Sequence, residues 1–372
     1  MSLRACRRLP PFIGPAGQSP SGGCVKILFC SAFFKPSIGG VEHVGALLAE
    51  QFQRAGHEVV VVTQTEAVAP DAEIFTVVRR PGRQQLTRLV ADADVVVHNQ
   101  ISLRLAYPLM WLNRPWVVVH HNWLWQPGAS RSLGWFKARV LRRAAHIAVS
   151  QPLAQALAPA VVAEVICNPY ADDVFKPMPG VQRQHDLVFV GRLVSDKGVG
   201  LLLQALALLR TQGLTPGLCI VGQGPEESAL RQQAHALGVA DKVRFAGPLQ
   251  GAALALLLNA HRVAVVPSVW EEPFGIVALE SMACGCVPLV ARSGGLPAAV
   301  GRAGHLFDKC DAADLARGIS TLLSDAALCR AYQAAAPAHL ARHRSRRIAQ
   351  RHLQVIERVR QAHAHTRHLA DV

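Results

Sequence analysis

Glu272 and Glu280 lie eight positions apart, separated by Pro273-Phe274-Gly275 and a helix-forming run, Ile276-Val277-Ala278-Leu279. Just upstream, Ala264-Val265-Val266-Pro267-Ser268 reads as a buried strand leaving the core through a Pro-Ser turn. The order is strand, loop, helix start. In an open parallel sheet, ligands gather where such loops leave the carboxyl ends of the strands. The free amides of Gly275, Ile276 and Val277 at a helix start attract phosphate. Two acids beside a phosphate cradle are poor phosphate ligands but good acceptors for sugar hydroxyls. Glu272 in the loop and Glu280 inside the helix therefore suggest a nucleotide-sugar site.

A basic pair complements these acids. An expected strand over 186–190 leads to Gly191-Arg192-Leu193-Val194-Ser195-Asp196-Lys197-Gly198. Arg192 and Lys197 bracket a short loop before a helical pattern and can neutralise a diphosphate from one side. Such a pair alone is ordinary solvated surface; at the end of an apolar strand, beside the 272–280 segment, it reads as part of the site. Earlier in the chain, Lys35-Pro36-Ser37-Ile38-Gly39-Gly40-Val41-Glu42-His43 follows another apolar run. Its Gly-Gly pair lets backbone approach a ligand closely where a helix begins. Glu42 and His43 either face the same cleft or cap that helix.

The elements that position these residues follow from alternation. Strands are expected at 25–30, 57–63, 94–98, 115–120, 145–149 and 164–167. A second series follows at 186–190, 217–221, 242–245, 262–266, 287–291 and 304–307. Helical patterns intervene at 40–55, 130–144, 198–211, 225–237, 275–284 and 311–324. This argues for an α/β protein with parallel sheets covered by helices on both faces. The Pro/Gly-rich stretch Phe175-Lys176-Pro177-Met178-Pro179-Gly180-Val181 separates the two series. Two Rossmann-like domains, 25–176 and 177–350, facing a central cleft are the expected architecture, with no sequence repeat between them. Residues 1–24, rich in Pro, Gly and Ser, are expected to be a disordered extension. No Met occurs between Met1 and Met110, and Val25, where the first strand begins abruptly, is a candidate alternative start.

Composition bounds the rest. At 372 residues the chain exceeds one ordinary core. It is 51% hydrophobic, yet no apolar run approaches the roughly 20 residues that span a bilayer. Arg4, Arg7 and Arg8 precede an apolar stretch too short and Pro-broken for a secretory signal. The nine cysteines form no C-x-x-C pair or zinc spacing and read as small buried hydrophobes in a reducing cytoplasm, with Cys284 and Cys286 as packing residues. The net charge of +14 permits nucleic acid, but no nucleic-acid-binding motif accompanies it, and none is expected as a partner. Trp111, Trp116, Trp123, Trp125 and Trp135 run into Arg131, Lys137, Arg139, Arg142 and Arg143 without an intervening acid. Basic residues beside exposed aromatics suit an anionic membrane surface; core tryptophans with a solvated helix face are the competing reading.

The chain from Val25 onward resembles the retaining GT-B glycosyltransferases of family 4. The resemblance rests on Ile38-Gly39-Gly40-Val41-Glu42, Gly56-His57-Glu58-Val59, Ile166-Cys167-Asn168-Pro169 with Phe175-Lys176-Pro177, and Phe189-Val190-Gly191-Arg192 with Lys197-Gly198. It continues through Val221-Gly222-Gln223-Gly224-Pro225, Val243-Arg244-Phe245-Ala246-Gly247 and the E-x7-E set Glu272 to Glu280. Seven motifs in the right order carry it.

The resemblance implies a transferase moving a hexose-type sugar from a nucleotide-diphosphate sugar to a glycan or lipid-linked acceptor. It implies that Arg192 and Lys197 hold the donor diphosphate, that Glu272 contacts the donor sugar, and that Glu280 accepts from ribose hydroxyls. Gly40 matches the loop glycine close to the donor, with Gly191 and the amides of Gly275, Ile276 and Val277 completing the donor contacts. His120 matches the first-domain histidine near the sugar, though His121 follows immediately and either can fill that place or be a core histidine. No metal or other cofactor is implied; the only D-x-D string, Asp92-Ala93-Asp94, precedes a strand at the end opposite the cleft. The basic C-terminal helix, Arg342 to Arg360, with 351–372 set apart as the returning segment, is expected to pack back on the first domain. A cytoplasmic enzyme, peripheral on the inner membrane face in envelope or exopolysaccharide assembly, is the expectation. Two departures stand out: Asn168-Pro169 replaces the usual Asn-Gly, and Gly294-Gly295-Leu296-Pro297-Ala298 lacks the family's frequent Glu. Another GT-B nucleotide-sugar enzyme such as an epimerase, or a non-catalytic binding protein, remains the alternative.

Overall fold

The computed structural model describes residues 23–37, 39–68, 70–123, 140–158 and 160–370. Two all-parallel sheets organise it. The first takes β1 (Lys26–Cys30), β2 (Glu58–Thr63), β3 (Thr76–Arg79), β4 (Val95–Asn99), β5 (Trp116–His120), β6 (Ala145–Ala148) and β7 (Ala163–Val165), in the order β3-β2-β1-β4-β5-β6-β7. The second takes β8 (His185–Val190), β9 (Leu218–Val221), β10 (Val243–Gly247), β11 (His261–Val266), β12 (Val287–Ala291) and β13 (His305–Phe307), in the order β10-β9-β8-β11-β12-β13. Each strand order reverses direction once, at β1/β4 and at β8/β11. Crevices at such switch points are where open α/β sheets bind ligands.

The central strands are near-continuous apolar runs because both faces of a parallel sheet are covered by helices. All five residues of β4, of β5 and of β12 are buried. Burying one such Val or Leu side chain stabilises by about 1.5–3 kcal/mol, which makes these runs the folding signal as well as the core. Edge strand β3, Thr-Val-Val-Arg, has no fully buried residue and falls outside the expected strands. Helices at Arg83–Asp92, Leu103–Ala106, Gln151–Leu157, Gly251–Asn259, Leu296–Val300 and Ala326–Leu340 were likewise not among the expected ones. The pattern expected over 130–144 lies outside the described residues up to position 139, as does the extension up to position 22.

The last helix, Ser345–Ala370, begins three residues after Arg342, where the basic helix was expected to start, and six before the division placed at 351. It packs Ile348, Ala349, Val355 and Ile356 into the core of the first sheet. Arg351 reaches the Val165 carbonyl at 2.9 Å, and Arg358 pairs with Glu164. Beside the start of this helix the chain passes its own earlier course: Tyr170 N donates to His343 O, His343 Nδ1 to Asn168 O, and Ser345 N and Oγ both to Asp172 Oδ1. The two domains are thus joined by two adjacent crossings.

Among the tryptophans, Trp116 is a core residue whose Nε1 donates to His98 Nδ1, which removes it from any membrane-facing set. Trp111 is 60% exposed beside Met110. Trp125, Trp135, Arg131, Lys137 and Arg139 lie outside the described residues. No helix among the described residues is long and apolar enough to cross a membrane.

Candidate functional site

The second domain's site is built on the adjacent strands β8 and β11. After β8, the chain passes Gly191, whose amide continues the ladder to Val221 O, then Arg192, whose side chain is exposed. Leu193 N bonds Gln223 O at 2.9 Å, so the Gly-Gln-Gly loop after β9 carries the Arg192 loop. That packing leaves no room for side chains: a Cβ on Gly222 would lie 1.8 Å from Gly191 O, and one on Gly224 2.2 Å from Leu193 O. The loop closes through Ser195–Lys197 and Gly198, which caps helix Val199–Thr211 at φ 69°. A Cβ on Gly198 would meet Pro267 O at 2.0 Å, so glycine is required by both conformation and contact.

After β11 come Pro267 and the buried Ser268, then the acidic loop. Lys197 Nζ lies 2.5 Å from Glu272 Oε1, which also accepts from Ser268 Oγ at 2.8 Å. The basic loop after β8 and the first acid after β11 therefore meet directly. Phe274 is buried, and Gly275 at φ 108° turns the chain into helix Ile276–Ala283. Its first amides have no helical acceptor four residues back and stand open at the positive end of the helix.

Glu280 lies five residues into that helix, 8% exposed. Among the described residues no group hydrogen-bonds or ion-pairs with its carboxyl, and burial pushes its pKa up to about 7. A buried acid without a partner is costly, and site function is the common reason to retain one.

The first domain contributes the loops after β1, β4 and β5. Gly40 opens helix Gly40–Arg54, and a Cβ on it would lie 3.4 Å from Ile276 Cδ1. The first domain's Gly-Gly loop thus touches the second domain's helix start. The Glu42 carboxylate lies over the Gly39 backbone, though no side-chain hydrogen bond caps the helix there. Asn99, at the end of β4, donates to Ser31 Oγ and to Val41 O and accepts from His121 Nε2 at 2.7 Å. His121 therefore belongs to the polar network at the strand ends that carries the Gly-Gly loop.

His120 points the other way, as successive strand residues do. Its Nε2 lies 3.0 Å from His146 Nδ1, while His146 Nε2 donates to Leu141 O. This fixes His120 as the donor in the pair and keeps both rings neutral; burial lowers the pKa of His120 to about 3. His120 is fully buried, with its Nε2 engaged by His146.

Several contacts around the site could not be read from the sequence. Glu271 Oε2 accepts from Gly294 N at 2.6 Å and from Ser293 Oγ, and its other oxygen pairs with Lys309. These contacts, led by Lys309, hold its pKa below the usual carboxylate range. Gly295 N donates to Glu272 O at 2.7 Å, and Leu296 packs on Gly275. The second Gly-Gly segment, which lacks the expected carboxylate, thus braces the acidic loop through its backbone. Trp123 Nε1 donates to Glu271 O at 2.7 Å from the first domain. Ser31, Asn99 and His121 share one legible signal, a polar residue ending an apolar strand beside the switch point.

Asp92-Ala93-Asp94 sits at the opposite end of the first sheet, where Asp94 Oδ2 accepts from Lys26 N at the start of β1. The described residues contain no cluster of three or more His, Cys, Asp or Glu side chains arranged to hold a metal. Cys284 and Cys286 are buried free thiols; Cys286 Sγ donates to Leu258 O at 3.0 Å.

Residues 38–173 match the model of Glycosyltransferase Family 4, and residues 175–339 that of Glycosyl transferases group 1. D-inositol 3-phosphate glycosyltransferase 2 of Catenulispora acidiphila is 40% identical over 151 residues, 37% of this chain and 34% of the relative. The chain spans about a third of the length of the curated relatives it matches. Sucrose-phosphate synthase of Thermosynechococcus elongatus superposes with a TM-score of 0.77 at 23% identity, over 91% of this chain and 100% of that one. HepE of Anabaena, crystallised with UDP and glucose, superposes with a TM-score of 0.74 at 24% identity, over 90% of this chain and 99% of that one. These likenesses show a shared fold. With one model on each sheet and both in the expected order, the chain belongs to the family 4, group 1 glycosyltransferases of GT-B fold.

Proposed function

We propose that the protein is a retaining glycosyltransferase that moves a hexose-type sugar from a nucleotide-diphosphate sugar to a glycan or lipid-linked acceptor. The observation that carries this reading is the meeting of Lys197 with Glu272, 2.5 Å apart, at the open start of the helix that buries Glu280. Opposite charges in that arrangement suit a ligand that is anionic at one point and rich in hydroxyls on either side. The diphosphate lies against Arg192, Lys197 and the amides of Gly275, Ile276 and Val277. Glu272 accepts from hydroxyls of the donor sugar, and the partnerless Glu280 accepts from those of the ribose. From the first domain, Gly40 lies close to the donor, and we assign the histidine near the sugar to His121 rather than His120. HepE in complex with UDP and with UDP-glucose supports a uridine donor as the first to test.

In the reaction, the bond between the anomeric carbon and the diphosphate oxygen breaks while the acceptor oxygen bonds to the same face of that carbon. The electron pair leaves on the phosphate oxygen, and the acceptor's proton passes to that oxygen. Arg192, Lys197 and the helix amides stabilise the developing charge without reorganising, which is the largest contribution such sites make. The proposed setting is envelope or exopolysaccharide assembly at the inner face of the cytoplasmic membrane, with no metal required.

Calorimetric titration of UDP, GDP and ADP into the wild type and Glu280→Gln tests the site. Losing a hydrogen bond to a charged group costs about 1.5–3 kcal/mol, so one nucleotide is expected to bind the variant at least about tenfold more weakly. Absence of binding by all three, or equal binding by both proteins, refutes the assignment and returns the binding-protein alternative. Turnover of the matching sugar conjugate only when an acceptor glycan is present separates a transferase from an epimerase.

A further inference from the structure

We propose that Trp123 is a positioning residue for Glu272, acting across the cleft from the first domain. The inference rests on the nucleotide-sugar reading of this site and adds a residue to it. Trp123 lies three residues past the end of β5, with its ring half-buried against the apolar core that both domains share. Its indole Nε1–H donates to the carbonyl of Glu271, the peptide unit that leads into Glu272. Among the described residues, this is the only hydrogen bond between residues 23–165 and residues 185–339.

The second domain holds every other handle of this segment. The Glu271 side chain is taken by Lys309 and Gly294 N, the Glu272 carbonyl by Gly295 N, and the Glu272 carboxylate by Lys197 and Ser268. The Glu271 carbonyl is left to the first domain. Gly40 and Ile276 meet at the same junction, so the contact sits where the two halves of the site close on each other. A hydrogen bond that spans the cleft exists only while the cleft is closed. Closure therefore fixes the last free handle of the 271–272 peptide, whose other contacts the second domain already supplies. Trp suits the task because its rigid ring carries the donor on two rotatable bonds, so little side-chain freedom is lost on docking.

Trp123→Phe keeps a ring in place and removes the donor. A neutral hydrogen bond is worth roughly a two- to tenfold change in an equilibrium. In the ligand-free protein, amide hydrogen exchange over 271–275 is expected to rise by that factor while exchange in β12 stays unchanged. In turnover of the glucose conjugate of whichever of UDP, GDP or ADP binds, kcat is expected to fall by a similar factor. KM for the donor and the Kd of that nucleotide should stay within about twofold, because the nucleotide's contacts lie in the second domain. Unchanged exchange and unchanged kcat overturn the proposal. So does a loss of nucleotide affinity equal to the loss of kcat, which would make Trp123 a ligand contact rather than a positioning residue. If none of the three nucleotides binds the wild type, the underlying site reading fails, and the exchange experiment, run without ligand, still decides whether Trp123 orders the acidic segment.

Discussion

Glu280 combines a buried position, no partner among the described residues and a pKa raised from the ordinary 4.5 to about 7. The raised value means the folded protein binds a proton that the unfolded chain has released. Between about pH 4.5 and 7 the folded state therefore holds more protons, and stability falls as pH rises through that window, then levels off. Thermal melts of wild type and Glu280→Gln at pH 5 and pH 8 check this: the wild type is expected to lose melting temperature on going to pH 8 relative to the variant. Bound nucleotide is expected to reverse the bias, because in the proposed site ribose hydroxyls donate to the carboxylate and favour its charged form. At the phosphate side, Arg192→Ala and Lys197→Ala are each expected to lower turnover about 10²–10³-fold, the usual effect of removing one donor to a developing negative charge. Steady-state kinetics with the preferred donor reads this directly. The charged residues were legible because each lies within a short local motif. Trp123 and Lys309 were not, since they meet Glu271 across 148 and 38 positions of chain. The choice between His120 and His121 for the proposed place beside the sugar hinged on a single step in register: two adjacent histidines at a strand end face opposite ways, and nothing in Val117-Val118-Val119-His120-His121 says which.

At the scale of elements, the site is two strand–loop–helix units set side by side. Each loop turns through a glycine at positive φ, Gly198 at 69° and Gly275 at 108°. Gly198→Ala forces a Cβ against the Pro267 carbonyl as well as an unfavourable backbone conformation. A loss of about 1–3 kcal/mol is expected from the backbone alone, measured as a lower denaturation midpoint. Weakened nucleotide binding should accompany it, because the same displacement moves Lys197 away from Glu272. The buried strands of both sheets could be read from sequence to within a residue or two because parallel strands are apolar on both faces. β3 escaped because an edge strand with only Val77 and Val78 between polar ends has no such run. The helix Ala326–Leu340 escaped because Pro337 interrupts an otherwise helical pattern. The short helices at 103–106 and 296–300 complete too little of a turn repeat to show periodicity.

At the scale of the whole molecule, the two domains are held by the paired crossings at 168–172 and 343–345. Asp172 caps the returning helix by accepting from both Ser345 N and Ser345 Oγ. Asp172→Ala is expected to cost about 0.5–2 kcal/mol, the ordinary value of a lost helix cap. Amide exchange should show it as faster opening of the first turns of Ser345–Ala370, with the second sheet unaffected. The two-domain arrangement was legible from alternation and the Pro/Gly linker, and the basic run from Arg342 placed the start of the returning helix within three residues of Ser345.

That return has a consequence for synthesis. The first domain's core needs Ile348, Val355 and Ile356, which emerge from the ribosome only after the whole second sheet. At about 5–20 residues per second, the gap between residue 173 and residue 345 lasts roughly 10–35 s. For that interval the apolar side of Gly40–Arg54 waits uncovered, so the domain made first is the domain finished last.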